Sequence, residues 1–566
     1  MSGVFFNGQQ LITPQSASML DDSGMFNKNT SVGNIVALLG RAEGGEPFKA
    51  LRFGSADQAK AVLKGDEVTL KAIERAFDPS SETTGPSTLI FIRINPATRA
   101  ELALGTAIDL VSTDFGRRNN QIKVKVESAS VKGKKLTTAF GNDYFSKDNV
   151  YRDAMSVRYT GGEATATLAI TSTKAILVAG ATTTEIDLID FPTVQELADR
   201  INAVAGFTAN VMDGNGLAPT LQALDTAAAA NCKAADVIVT AHLQACIDWF
   251  NGTGEGFVTA SRKDGATGAP ANTAFAYLSG ASDGIVTNAE WQKAFEVLQQ
   301  VDAQWICPLS PLAAIHAMAD THVAYMSNVS RKKRRAITGG NVGMSDDEAL
   351  LAAKNLNSDR TSFIHLGAYD YNPKSKLTLY PAFVVAAAVA GMFAGVAPGV
   401  ALTNKSMKWR GLERALRVPT DTNVLLAGGV LCLEDGEEGY KVLQSLSTWR
   451  NDSNFNRVEQ SCGAACDFVL RNVEEAIDPV RGKGGSPRTM ADALSRAETR
   501  LNALSVPAPM GPGVLVGDAV NPPWRKLTVS LEGDVIRIEY ECSPVVPINY
   551  ALQVAHAVPY SGSASA

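Results

Sequence analysis

The residue types that carry most enzymatic chemistry are scarce in this chain. Five histidines among 566 residues leave few bases to activate a nucleophile, and no serine nucleophile elbow is expected. His316, Asp320 and His322 come nearest to a metal-ligand set. His316 and Asp320 share one face of a predicted helix, but His322 falls off it and no H-E-x-x-H pattern occurs. Cys462 and Cys466 lie one helical turn apart, without a second close cysteine pair or a nearby histidine to complete a zinc site. The seven cysteines, odd in number and scattered, read as reduced buried thiols suited to a cytoplasm. Gly252–Gly256 (GTGEG) has a helix before it and a strand, Phe257–Ser261, after it. A dinucleotide loop needs the reverse order, so this is a turn. No G-x-x-x-x-G-K-[ST] occurs. No catalytic, cofactor-binding or metal-binding residue is therefore expected.

Charge is equally unassertive. The net charge of −6 over the whole chain argues against nucleic acid as the main partner. Arg331–Arg335 (RKKRR) is the densest basic run and reads as a solvated loop or a contact with an acidic face of a neighbour. A second basic piece, Pro479–Met490 (PVRGKGGSPRTM), holds Arg481, Lys483 and Arg488 with no acid. The uncharged run Leu377–Asn404 is long enough to span a bilayer. Its two prolines and many alanines make it weakly hydrophobic, and a buried helix in a soluble protein is expected instead.

The elements that must position these residues alternate between strand and helix. Asn34–Gly40 and Thr88–Ile94 read as buried strands, with helices at Ser55–Leu63 and Glu67–Phe77 between them. From Leu104 to Pro270 the chain turns strand-rich: Gln121–Glu127, Met155–Tyr159, Ala164–Ile170, Lys174–Val178, Glu185–Ile189 and Phe207–Met212, with helices at Pro192–Val204 and Ala235–Trp249. Beyond Leu278–Gly284 (LSGASDG), capping boxes at Thr287–Glu290 and Ser345–Glu348 open helices. Strands Gln304–Pro308 and Thr361–Leu366 flank a helix at Leu312–Met326, which suggests a partly parallel sheet. Pro381–Ala397 is an Ala/Val/Gly helix stopped by Pro398-Gly399. A basic amphipathic piece follows (Lys405, Lys408, Arg410, Arg414, Arg417). Then comes a predicted strand-turn-strand, Asn423–Ala427 and Val430–Leu433. Helices at Arg457–Ile477 and Thr489–Leu504 lead to a hairpin, Leu527–Leu531 with Val535–Glu541.

Both ends are uncharged, with no Asp, Glu, Lys or Arg before Asp21 or after Glu541. They still form strand patterns: Val4, Phe5 and Phe6, then Leu11 and Ile12, at the start, and Ile548, Tyr550, Leu552, Val554, His556 and Val558 on one face at the end. Such strands left free invite pairing, so either another copy takes them up or they lie on their own domain.

The order of Leu377–Glu434 resembles the core of contractile tail sheath proteins of bacteriophages: a small-residue helix (Val389-Ala390-Gly391), a Pro/Gly break, a polar segment and a Gly-Val strand. The "IRI" strand at Thr88–Ile94 and the Gly-Ser-Asp-Gly-like turn, with Ala281 in place of a second Gly, line up on either side. So does the final order of two helices, hairpin and terminal strand. The resemblance covers 31–103 and 278–558. It implies a mixed α/β, multidomain fold: an N-terminal arm (1–30), a first core part (31–103), a strand-rich outer insertion (104–270), an α/β continuation (271–376), a tube-proximal C-terminal core (377–541) and a C-terminal arm (542–566).

It further implies a non-enzymatic, cofactor-free subunit of a helical stack of hexameric rings around a tail tube, assembled in the host cytoplasm and carried on the virion. Its partners would be other copies, the tube protein, and baseplate and tail terminator or neck proteins, with no direct nucleic-acid or stable membrane contact. The arm strands would complete a sheet in another copy, and Arg481, Lys483, Arg488 and Arg496 would face the tube. A phage-derived injection particle, or an α/β enzyme with an unrecognised site, remains open on the sequence alone.

Overall fold

The computed structural model describes residues 35–212, 214–252, 256–436 and 439–559, together with the backbone of Val4–Phe6 and Gln9–Leu11. The chain is mixed α/β, and its frame is one seven-stranded sheet. In spatial order the strands are Val430–Leu431, Thr361–Ile364, Arg335–Gly339, Trp305–Pro308, Ile35–Gly40, Thr88–Arg93 and Ala50–Phe53. All neighbours are parallel except Ala50–Phe53, which caps the edge antiparallel. Ile35–Gly40 and Trp305–Pro308 are continuous apolar runs because both faces of the sheet are covered.

On one face the helix Ala382–Gly395 lies buried nearly all round, next to Glu67–Phe77. Its small residues permit that: a Cβ on Gly391 would run into the carbonyl of Ala76. On the other face Asn288–Gln299 and Ala313–Asn328 cover Ala37, Ile90 and Ile306. Among the described residues no helix is long and apolar enough to cross a membrane.

The strand-rich region contains two cores, one nested in the other. The first joins the sheet of Glu101–Leu104, Ile108–Ser112 and Val258–Arg262 to that of Lys123–Ser128, Lys134–Phe140, Asp143–Val150 and Thr273–Tyr277, with the helix His242–Gly252 beneath. The second is built from Asp153–Tyr159 to Val237–Thr240 around the helix Val194–Asn202. It enters and leaves through adjacent backbone, since Asp153 pairs with Thr240 and Ala241 N–H donates to the Arg152 carbonyl at 2.9 Å.

The C-terminal part packs Gln460–Ile477 against Pro487–Ser505. The hairpin Trp524–Glu532 with Val535–Cys542 lies over both. A buried ion cluster ties it to the main sheet. Arg335 Nε lies 2.9 Å from Asp467, and Arg360 grips the same carboxylate through two bonds at 2.9 and 3.0 Å. Burial alone would raise the Asp467 pKa, but the two guanidinium groups more than offset it and hold it low.

Several sequence expectations need correction. Asn423–Ala427 belongs to a helix, Thr420–Ala427, whose apolar residues split between buried Leu425 and exposed Val424. Ala235–Trp249 is not one helix: Val237–Thr240 is a strand edge-on to Asp153–Tyr159, and only His242–Gly252 is helical. Arg457–Ile477 breaks at Glu459 into Phe455–Val458 and Gln460–Ile477. The basic run is no solvated loop throughout, because Arg334 and Arg335 are buried. The 405–417 piece is two short strands and loops rather than an amphipathic unit, with Lys405, Lys408, Arg414 and Arg417 each paired to an acid.

Candidate assembly site

The would-be metal set is dispersed by the helix that carries it. His316 Nε2 lies 2.8 Å from the Ser310 carbonyl, and Asp320 accepts from Thr361 Oγ1 at 2.7 Å. His322 Nε2 sits 2.9 Å from an Arg334 nitrogen. Burial, then the Arg334 charge, pushes the His322 pKa down to about 3. Among the described residues no group of His, Cys, Asp and Glu is arranged to hold a metal ion.

Gly280–Gly284 does spell G-x-S-x-G, against the sequence expectation. Ser282, however, lies exposed in irregular chain, its hydroxyl 3.2 Å from Thr98 Oγ1, without the strand-to-helix bend of an elbow. Of GTGEG, Gly252 ends a helix and residues 253–255 lie outside the described residues. Burial raises the thiols of Cys246 and Cys432 to about 12, which makes them poor nucleophiles.

What the C-terminal part presents instead is unfinished β-structure. The hairpin is a two-stranded sheet with both long edges unpaired among the described residues. Its inner face (Leu527, Val529, Leu531, Ile536, Ile538, Tyr540) is only half-buried. Beside it runs a groove of about 580 Å³ lined by Leu470, Val473 and Ile477 of the Gln460–Ile477 helix and by Ile536, Ile538 and Tyr540 of the hairpin, with Arg331, Glu474, Glu475, Asp478 and Arg481 also on its walls.

The chain's own C-terminal segment does not fill this groove. It is held as far as Asn549, whose side chain accepts from Thr403 Oγ1 at 2.9 Å and donates to Glu459 at 3.3 Å. Beyond it Tyr550, Leu552, Val554 and Val558 are exposed, Leu552 to 95 %, as is Ile548 before it. The strand expected over 548–558 is not formed in the single chain, because no partner strand lies beside it. At the other end Val4–Phe6 pairs antiparallel with Gln9–Leu11, Val4 opposite Leu11 and Phe5 opposite Gln10. Ile12 lies outside the described residues.

The basic loop is less bare than its sequence. Folding brings Asp478 to Arg481 at 2.5 Å and Asp492 to both Lys483 (3.0 Å) and Arg496 (2.9 Å). Arg488 is exposed and has no ion pair among the described residues. Sequence reading also missed His365. It is buried 3.2 Å from Asp346 with Arg414 alongside, and nothing in its local pattern marks it.

The mixed α/β frame with a nested insertion and a C-terminal hairpin unpaired at both edges among the described residues is a fold shared with solved sheath tail proteins. No family model matches the chain. The tail sheath protein of Bacillus phage SP01 is 26 % identical over 580 aligned positions, covering 99 % of this chain and 98 % of that one. A putative tail sheath protein of Enterococcus phage phiEF24C is 25 % identical over 500 positions, covering 84 % and 85 %. The solved sheath tail protein from Desulfitobacterium hafniense shares the fold with a TM-score of 0.56 at 15 % identity, over 94 % of this chain and 97 % of that one. The one from Listeria innocua does so at 14 % identity, over 91 % and 93 %, also with a TM-score of 0.56. The resemblance to phage tail sheath proteins therefore holds, and over the whole chain rather than its flanking parts alone.

Proposed function

We propose that this chain is the subunit of a contractile tail sheath, polymerising as stacked hexameric rings around a tail tube and driving that tube through a host envelope. The observation that carries the reading is the combination of a two-edged hairpin, beside a groove with an apolar floor and a charged rim (Arg331, Glu474, Glu475, Asp478 and Arg481), with a terminal segment whose apolar residues are exposed. An arm from a neighbouring copy, laid along Val535–Cys542, would supply the missing hydrogen bonds and cover Ile538 and Tyr540. Because donor and acceptor are different segments, such contacts are heterologous: they close into a ring where the rotation closes and run on as a helical stack where it does not. Contraction would draw on free energy stored at assembly, and the subunit has no enzymatic role. Other copies, the tube, the baseplate and the terminator or neck proteins are the partners, and the tail of the virion is the site of action after assembly in the host cytoplasm.

Electron microscopy of the full-length protein at high concentration tests this. Hollow striated tubes or stacked rings are expected from the intact chain, and folded, unassembled subunits from chains lacking Met1–Leu20 or Tyr550–Ala566. Tubes formed by both truncated chains would remove the arms from the mechanism.

In the same reading the Pro479–Met490 loop faces the tube, and Arg488 is the cation in it without an ion pair among the described residues. Arg488→Glu should weaken co-sedimentation with the tube protein by roughly fivefold, in line with about 1 kcal/mol for an interfacial charge. Unchanged co-sedimentation would place the tube contact elsewhere.

A further inference from the structure

The basic run Arg331–Arg335 plays no part in the sheath reading, yet its last three residues line a cavity of about 50 Å³ between the main sheet and the Gln460–Ile477 helix. We propose that this cavity binds a small oxyanion, a carboxylate or a phosphate, either free in solution or offered by an acidic side chain of another copy. The cavity is lined by four cations, Lys333, Arg334, Arg335 and Arg471, and by one acid, Asp467.

That acid is already shared between Arg335 and Arg360, and Arg471 is engaged by Asp302 and Glu475. Lys333 Nζ donates to the Ser327 carbonyl at 2.9 Å and makes no ion pair among the described residues, though its charge helps to hold Asp467 ionised. Arg334 is 1 % exposed and donates only to neutral acceptors: the carbonyls of Leu298 and Val301, and His322. Its Nε has no partner among the described residues. Burial depresses the Arg334 pKa to about 10, with the Arg471 charge adding to the effect and the Asp302 carboxylate offsetting it only in part.

A buried charge in that condition is costly, and an anion beside it relieves the cost. Size sets the class of ligand. A water takes about 30 Å³ of liquid volume, so the space admits a group of a few atoms. Trp305, Phe393 and Pro398 wall it on the apolar side.

Binding is tested on the unassembled full-length chain, so that part does not depend on the sheath reading; only the final assignment of the ligand's source uses assembly. Thermal unfolding is followed against acetate and against inorganic phosphate at constant ionic strength. A saturating rise in Tm is expected, with the half-effect concentration raised at least fivefold in Lys333→Gln. Ala464→Asp carries a carboxylate into the cavity from its wall, and should raise Tm and abolish the response to added anion. If Ala464→Asp does not fold, the wild type and Lys333→Gln decide. A wild-type response that never saturates, or one unchanged in Lys333→Gln, overturns the site. With saturation established, inhibition of assembly over the same anion range assigns the ligand to another copy's acidic side chain, and unaffected assembly assigns it to the free ion.

Discussion

His322 and Arg334 hold each other in opposite senses. The guanidinium donates to an imidazole that must stay neutral to accept, and burial keeps it so, with the His322 pKa near 3 against an ordinary 6.5. His365, buried beside Arg414, is depressed likewise, to about 4. A histidine whose folded pKa lies below its unfolded value contributes stability that is complete above the unfolded pKa. That stability is lost as pH falls from 6.5 towards the folded pKa. Glu459 acts oppositely, since burial raises its pKa and protonation on acidification favours the fold. Comparing two chains isolates the imidazole. His322→Gln keeps an acceptor for Arg334 but cannot titrate, so wild type should lose a few kcal/mol more than the variant between pH 7 and pH 4.5. Parallel stability-pH curves from chemical denaturation would refute this.

At the scale of elements, the groove beside the hairpin gives the sharpest consequence. Leu470 stands on the groove wall and is 43 % exposed in the single chain, so Leu470→Glu should change stability by no more than about 0.5 kcal/mol. In the assembled state the same carboxylate would be covered by an incoming strand, at a cost of several kcal/mol for an unpaired buried charge. The critical concentration for assembly should rise at least tenfold by sedimentation, with Tm nearly unchanged. Assembly at the wild-type concentration would show that no strand enters here.

The elements that could be read from the sequence were those whose signals are local. The capping boxes at Thr287 and Ser345, the buried runs of the parallel sheet and the Gly533 hairpin turn all appear where their residues place them. The misread ones depend on distant partners. Val237–Thr240 is a strand because Asp153–Tyr159 lies beside it, and Thr420–Ala427 is helical despite a short apolar run that also fits a strand. The uncharged ends on which the proposed assembly rests are plain in the sequence, whereas the pairing of Arg481, Lys483 and Arg496 with Asp478 and Asp492 needed the folded chain.

For the whole molecule, the nested core is an addition whose removal the rest should survive. Its first and last strands are hydrogen-bonded neighbours, Asp153 opposite Thr240, so the chain can be closed across them by a two-residue turn. Its apolar residues, Met155, Leu168, Leu177, Leu197 and Val239 among them, form a cluster of their own, so excision exposes little of the remaining cores. Two ties are lost. Asp225 accepts from the backbone N–H of His242 at 2.6 Å and of Leu243 at 3.2 Å, capping the helix His242–Gly252. Arg262 donates to the carbonyls of Gln222 and Leu224. The cap is worth about 1 kcal/mol, and the arginine, already half-exposed, turns to water.

A chain with residues 154–239 replaced by Asn-Gly should therefore unfold cooperatively with Tm lowered by only a few degrees. If the nested core faces outward in the sheath, as the resemblance implies for the 104–270 insertion, the shortened chain should also assemble into tubes of unchanged inner diameter and smaller outer diameter. Loss of cooperative unfolding would mean that the nested core supports the frame. Folded subunits that no longer assemble would place it between copies rather than on the outside.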